Sequence, residues 1–115
     1  MPQDPGPLRT LCFGSYDRHV VWEFRVRPGR TAGFERAYGP NGDWARLFQR
    51  GDGYLGTELI RDREDPDRYL TLDRWAGLEA FQAFEARHGA EYRALDTVCE
   101  PLCSDERRVG SFEIP

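Results

Sequence analysis

From Trp22 to Phe112 the apolar pattern of this chain changes period in a fixed order: strand, helix, strand, strand, helix, strand. The first half runs VVWEFRVRPG, FERAY, DWARLFQR and GYLGTELIRD; the second runs RYLTLDRW, GLEAFQAFEARHGAEYRALD and RRVGSFEI. That order predicts an α+β fold of ferredoxin-like βαββαβ plan, an antiparallel sheet with both helices on one face. The other face of the sheet then needs a cover that so small a chain does not supply. The expected cover is a second copy, a homodimer whose sheets meet across residues such as Val21, Leu70 and Leu72.

Local signals place the elements. Residues 1–18 hold three of the eight prolines and no sustained periodicity, so they read as a flexible N-terminal arm, with a short extended piece at LCFG, ahead of a domain over 19–115. From Val20 onward Trp22, Phe24 and Val26 alternate with Val21, Glu23, Arg25 and Arg27, a strand with one apolar face. Pro28-Gly29 ends it, and Thr31 is placed to cap a helix carrying Phe34 and Tyr38. The GPNG turn at 39–42 interrupts that helix, and Asp43 restarts it with Trp44, Leu47 and Phe48 at helical spacing. A strand over Tyr54–Arg61 and a turn at DREDPD follow. The strand Arg68–Trp75 sets Tyr69, Thr71, Asp73 and Trp75 on one face and Leu70, Leu72 and Arg74 on the other. Leu78, Phe81 and Phe84 open the second helix. It breaks at His88-Gly89 and resumes with Tyr92, Leu95 and Cys99; Arg107–Ile114 closes the sheet.

Composition removes several functions. A net charge of -4 is the wrong sign for a nucleic-acid binder. No apolar run approaches the roughly 20 residues that span a bilayer, and no signal-peptide pattern opens the chain, so a cytoplasmic protein is expected. All sixteen basic residues are Arg. Without lysine there is no Schiff-base anchor and no Walker A loop. The three cysteines Cys12, Cys99 and Cys103 lack CxxC spacing, and Pro101 breaks any helix between the last two. They read as small buried apolar residues. With two histidines and no carboxylate–histidine spacing, neither a metal nor an organic cofactor is expected.

The remaining motifs each carry two readings. GDGYLG at 51–56 matches GxGxxG literally, but it follows a helix and leads into a strand, the reverse of a dinucleotide fingerprint. His19 and His88 read as surface, with His88 also a candidate proton donor or acceptor at a pocket mouth. No serine sits in a nucleophile elbow. The strand carboxylates Glu23, Glu58 and Asp73 require partners if covered, with Arg25, Arg61 and Arg74 as candidates. The alternative is that Asp73 or Glu58 faces a pocket as a catalytic or substrate-binding group. The aromatic set Trp22, Phe24, Trp44, Phe48, Trp75, Phe81, Phe84 and Tyr92 either fills the core or lines a cleft for a flat ligand.

In VVWEFRVRPGRTAGFERAY, GYLGTELIRD and YLTLDRWAGLEAFQAF the chain resembles the antibiotic biosynthesis monooxygenase family, over roughly residues 20–113. The resemblance implies a dimeric α+β barrel and cofactor-free oxygenation of polyketide-derived phenols or, in other members, haem degradation. The aromatic-polyketide oxygenases carry Asn four residues before the strand-end Trp and often an aromatic six after it. Here the tryptophan is Trp75, and those positions hold Thr71 and Phe81. The haem degraders' Trp and His fall on Phe84 and near Ala94, so haem degradation is not implied. The expected function is a cofactor-independent monooxygenase-like enzyme acting on a small, flat aromatic or polyketide-type substrate. Trp22, Phe24, Trp44, Phe48, Glu58, Phe81, Phe84 and Tyr92 would bind it; Trp75, Thr71, Asp73 and His88 would form the catalytic group. A non-oxidative cyclase, an isomerase or a small-ligand binder on the same scaffold is the alternative.

Overall fold

A computed structural model describes residues 18–115. The elements are β1 (Arg18–Val26), α1 (Thr31–Tyr38), α2 (Asp43–Phe48), β2 (Tyr54–Arg61), β3 (Arg68–Trp75), α3 (Leu78–Cys99), a 3₁₀ turn (Glu100–Leu102) and β4 (Cys103–Glu113). The strands form one antiparallel sheet in the order β2-β3-β1-β4. This is the expected α+β, ferredoxin-like plan. The arm expected over 1–18, with its LCFG piece and Cys12, lies outside the described residues except for Arg18, which opens β1.

Alternation decides which face each strand residue takes. Val20, Phe24 and Val26 of β1 turn inward and are buried, and Tyr69, Thr71 and Trp75 of β3 join them. The helices lay Phe34, Ala37, Tyr38, Trp44, Leu47, Phe48 and Phe84 over that face. The rings interlock: Phe34 lies 4.9 Å from Tyr69, and Phe48 lies 5.5 Å from Trp75 and 5.3 Å from Phe84. Cys99 and Cys103 fill the end of this core as free thiols, and burial pushes Cys103 up to about 12.

Two glycines make the chain reversals possible. A Cβ at Gly42 would lie 2.4 Å from the Arg36 carbonyl oxygen, so only glycine lets α2 start against the end of α1. Gly53 holds φ +90, and its carbonyl accepts from the Ala76 N–H at 2.7 Å, fixing the lead into β2.

Some boundaries differ from expectation. Thr31 is the first residue of α1 and does not cap it; Arg30 takes the cap position without a side-chain bond. The turn before it, with Gly29 at φ +79 and the Arg30 N–H bonded to the Arg27 carbonyl, launches the helix instead. β4 begins at Cys103 rather than Arg107, because the Arg27 N–H bonds the Leu102 carbonyl and Cys103 pairs with Val26. His88 leaves helical geometry, with φ -121 and ψ 23, at the expected break in α3.

The outer face of the sheet carries Val21, Leu70, Leu72 and Ile60 in one paired patch, with Phe112 in register beside His19. A charged strip crosses it. Glu23 accepts from Arg68 at 2.7 Å and from Arg107, Arg68 also reaches Asp62, and Arg25 pairs with Asp65. The candidate partners are therefore reassigned: Arg25 serves Asp65, and Arg61 faces Glu35 at 3.7 Å. No α-helix among the described residues is long and apolar enough to cross a membrane.

Candidate functional site

Between the inner face of the sheet and the helices lies a cavity of about 580 Å³, open mouth included. β1 contributes Val20, Trp22 and Phe24, and β3 contributes Thr71, Asp73 and Trp75. The helices close over them with Tyr38, Trp44, Phe48, Phe81 and Tyr92. Thr57 of β2, Asp96 of α3 and Glu106 of β4 complete the wall. The aromatic set thus does both things open to it. Phe34 and Phe84 are core, and the rings around Trp44 and Trp75 are core on one side and lining on the other.

Asp73 is the polar centre of this wall. Its strand alternation sets it inward between Thr71 and Trp75, and β2 pairing sets Thr57 directly opposite. The Thr57 hydroxyl donates to Asp73 Oδ1 at 2.6 Å. A hydroxyl has one proton, so Tyr54, at 2.5 Å from Thr57 Oγ1, must be the donor in that second bond while Asp73 is ionised. The result is a chain from Tyr54 to Thr57 to Asp73. Burial raises the Asp73 carboxyl to about 6, against a weaker lowering pull from Thr57. A carboxyl poised there can take a proton near neutral pH and give it back.

The other lining groups share this negative surround. Tyr92 is pushed up to about 12, by burial first and then by Asp96, Glu85, Asp73 and Glu106. Glu106 is raised by burial and by Asp96, Glu100 and Asp105. The indole N–H groups of Trp44 and Trp75 are both buried without a well-formed hydrogen bond. That of Trp44 still has the Tyr38 hydroxyl and the Cys99 thiol for company, whereas that of Trp75 has no hydrogen-bond partner among the described residues. Among the described residues no cluster of His, Cys, Asp and Glu is arranged to hold a metal.

Of the residues singled out in the sequence, Trp22, Phe24, Trp44, Phe48, Thr71, Asp73, Trp75, Phe81 and Tyr92 line this cavity. Glu58, Phe84 and His88 do not line the cavity. Glu58 falls on the outer face, opposite Leu72, because the irregular pairing at Gly56 sets Thr57 inward and its neighbour outward. Phe84 is fully enclosed behind Trp75, with ring centroids 5.4 Å apart. His88 lies against Phe84 at 5.3 Å and turns its Nδ1 towards Glu91 of its own helix, at 3.7 Å.

Tyr38, Thr57, Asp96 and Glu106 were not anticipated. Tyr38 and Asp96 were within reach of the pattern, one turn beyond Phe34 and Tyr92 on the same helix faces. Thr57 required the β2–β3 register. Glu106 lay in a stretch read as preceding the last strand.

A family profile described as antibiotic biosynthesis monooxygenase matches residues 18–94, well over half of the chain. The chain belongs to that family. Solved structures agree in fold. A cofactor-independent oxygenase, SnoaB from Streptomyces nogalater, in a mutant form, is 24% identical with TM-score 0.65, over 84% of this chain and 90% of that one. A putative antibiotic biosynthesis monooxygenase from Bordetella bronchiseptica is 20% identical with TM-score 0.68, over 87% and 98%. PA3566 from Pseudomonas aeruginosa is 15% identical with TM-score 0.64, over 90% and 98%. At such identities these likenesses speak for the fold alone. No curated protein matches the chain.

Proposed function

We propose that this member of the antibiotic biosynthesis monooxygenase family is a cofactor-independent oxygenase of a flat aromatic or polyketide-type metabolite, working in the cytoplasm, where Cys99 and Cys103 stay reduced. The observation that carries the reading is a buried carboxylate, Asp73, set in an aromatic cavity with its own hydroxyl relay. Likeness in fold to SnoaB, described as a cofactor-independent oxygenase, supports the same class.

In this scheme Trp22, Trp44 and Phe48 flank the ring system. Asp73 removes a proton from an acidic ring CH₂ or phenol, and Thr57 and Tyr54 hold the carboxylate in place. The resulting electron-rich anion reduces O₂ directly. For a ring CH₂, one oxygen atom becomes the new C=O and the other leaves as water with the two hydrogens, so four electrons pass from substrate to O₂. Thr71 and the Trp75 indole N–H would hydrogen-bond the substrate's oxygen substituents. His88 and Glu58, outside the cavity, have no part.

An oxygen electrode with a panel of anthrone-like phenols tests this. Uptake by the wild type, with the quinone as product, is expected; no uptake with any member of the panel overturns it. Thr71, at the position where the family's polyketide oxygenases carry Asn, favours a second reading, a non-oxidative cyclase, isomerase or binder. That protein would gain thermal stability from the same ligands by mass action without consuming oxygen.

The same proposal includes a homodimer. The outer patch of Val21, Leu70, Leu72 and Ile60 matches a self-complementary sheet-to-sheet contact, with the Glu23–Arg68–Arg107 strip fixing its register. Sedimentation equilibrium at micromolar concentration should return twice the chain mass of 13.3 kDa. A stable monomer there would refute it.

A further inference from the structure

The charges lining the cavity are all of one sign. Asp73, Asp96 and Glu106 come from three different elements, β3, α3 and β4, and among the described residues no Arg or His stands beside them in the lining. The chain has no lysine to supply a cation. The guanidiniums that the sheet register brings nearest on the inner face stand outside this wall. Arg18 is bonded to Ser111, and Arg108 pairs across from Trp22 on an exposed stretch of β4. Several acids elsewhere on the molecule, Glu23, Asp43, Asp62, Asp65 and Glu91, each have an arginine partner. The cavity lining supplies none to Asp73, Asp96 and Glu106.

At the mouth the contrast is largest. Asp96 of α3, half-buried, and Glu106 of β4, exposed, both line the cavity, and the charged neighbours that raise the Glu106 carboxyl include Asp96. Like charges held together beside apolar rings cost free energy unless a cation relieves them. A second, independent feature also points to a ligand. The indole N–H of Trp75, a residue with 0% exposure, has no hydrogen-bond acceptor among the described residues although the residue lines the cavity. Buried donors of this kind are normally satisfied. Aromatic faces with carboxylates at the rim suit an ammonium group, through ion pairing and cation–π attraction. They repel a carboxylate.

We infer that the cavity selects a flat aromatic ligand that bears a protonated amine, seated between Asp96 and Glu106, and an oxygen acceptor for the Trp75 indole, and that it excludes carboxylated analogues of the same ring. This names the substrate class of the cavity proposed above and rests on that reading. Asp73 stays available for proton transfer at the inner end, and the amine is held at the mouth.

The test is calorimetric binding of a matched set, 1-naphthylmethylamine, 1-naphthalenemethanol and 1-naphthoate, at pH 7.5 to the wild type, to Glu106→Gln and to Asp96→Asn/Glu106→Gln. The amine should bind at least tenfold more tightly than the carboxylate, with the alcohol between them. The gap should shrink to less than threefold in the double variant and narrow partway in the single one. Equal binding of amine and carboxylate, binding of none of the three at millimolar concentration, or a gap unchanged in either variant would overturn the inference. Calorimetry reads no turnover, so a failure of oxygen uptake and a failure of charge selection remain separate results.

Discussion

Asp73→Asn should abolish oxygen uptake and, at the same time, make the protein more stable at pH 8. Both effects come from one buried carboxyl. As the base of the proposed reaction, Asp73 contributes on the order of 10²–10⁴-fold to the rate. Its removal should cost that factor, whereas Thr57→Ala, which leaves the carboxylate but not its anchor, should cost less. The wild-type rate should climb as pH rises through about 6, where Asp73 loses its proton.

The stability effect has a definite sign. Burial raises Asp73 to about 6 in the fold against its ordinary value of 3.8, so the folded state holds its proton over a range where the unfolded chain has released it. The Asp73 contribution to stability is therefore greatest below about pH 4, falls between there and about 6, and is flat above, by roughly 3 kcal/mol in all. Asparagine keeps the shape and can still accept from Thr57, but it carries no charge to desolvate. Calorimetric melting should show Asp73→Asn several degrees above the wild type at pH 8 and level with it at pH 4. A lower melting temperature at pH 8 would show that the Asp73 charge is not strained, and uptake retained would show that Asp73 is not the base.

How far the sequence led depends on how local each signal is. The strand alternation of Trp22–Phe24–Val26 and Tyr69–Thr71–Asp73–Trp75 is a period-2 pattern carried by adjacent residues, and it sets the inward face without further information. The GPNG and GDG turns are equally local. What failed was non-local. Glu58 reads as a strand carboxylate like Asp73, and only the irregular pairing at Gly56 turns it outward. His88 occupies the helix break that was expected, yet its ring direction depends on Phe84 and Glu91. Thr57 and Glu106 reach the cavity because β2 and β4 sit in particular registers against β3 and β1, which spacing along the chain does not encode. The partners of the strand acids show the same limit, since Glu23 is held by Arg107, which lies 84 positions further on.

Trp75→Ala should come close to unfolding the protein, and this changes how Trp75 can be used as a probe of function. Its side chain is fully enclosed, with ring centroids 5.2–5.5 Å from Tyr54, Phe48, Phe81 and Phe84. Its Cζ3 lies 3.1 Å from where a Cβ on Gly51 would be, so the backbone also packs on the ring. Truncation would leave a void bordered by β2, β3, α2 and α3 at once, with little scope for collapse. The cost is roughly 3–5 kcal/mol, a large share of the about 5–15 kcal/mol that holds a domain together. Urea denaturation should show that loss, and a drop of under about 1 kcal/mol would mean the cavity wall relaxes freely. Trp75→Phe is the informative variant for chemistry. The indole N–H has no acceptor among the described residues, so its removal breaks none of their hydrogen bonds, and only volume is lost. The fold should persist at a cost of about 1–2 kcal/mol. If that N–H donates to an oxygen of the bound substrate, KM should rise about 3–10-fold with kcat less affected. An unchanged KM in a folded Trp75→Phe protein would leave Trp75 as a packing residue alone.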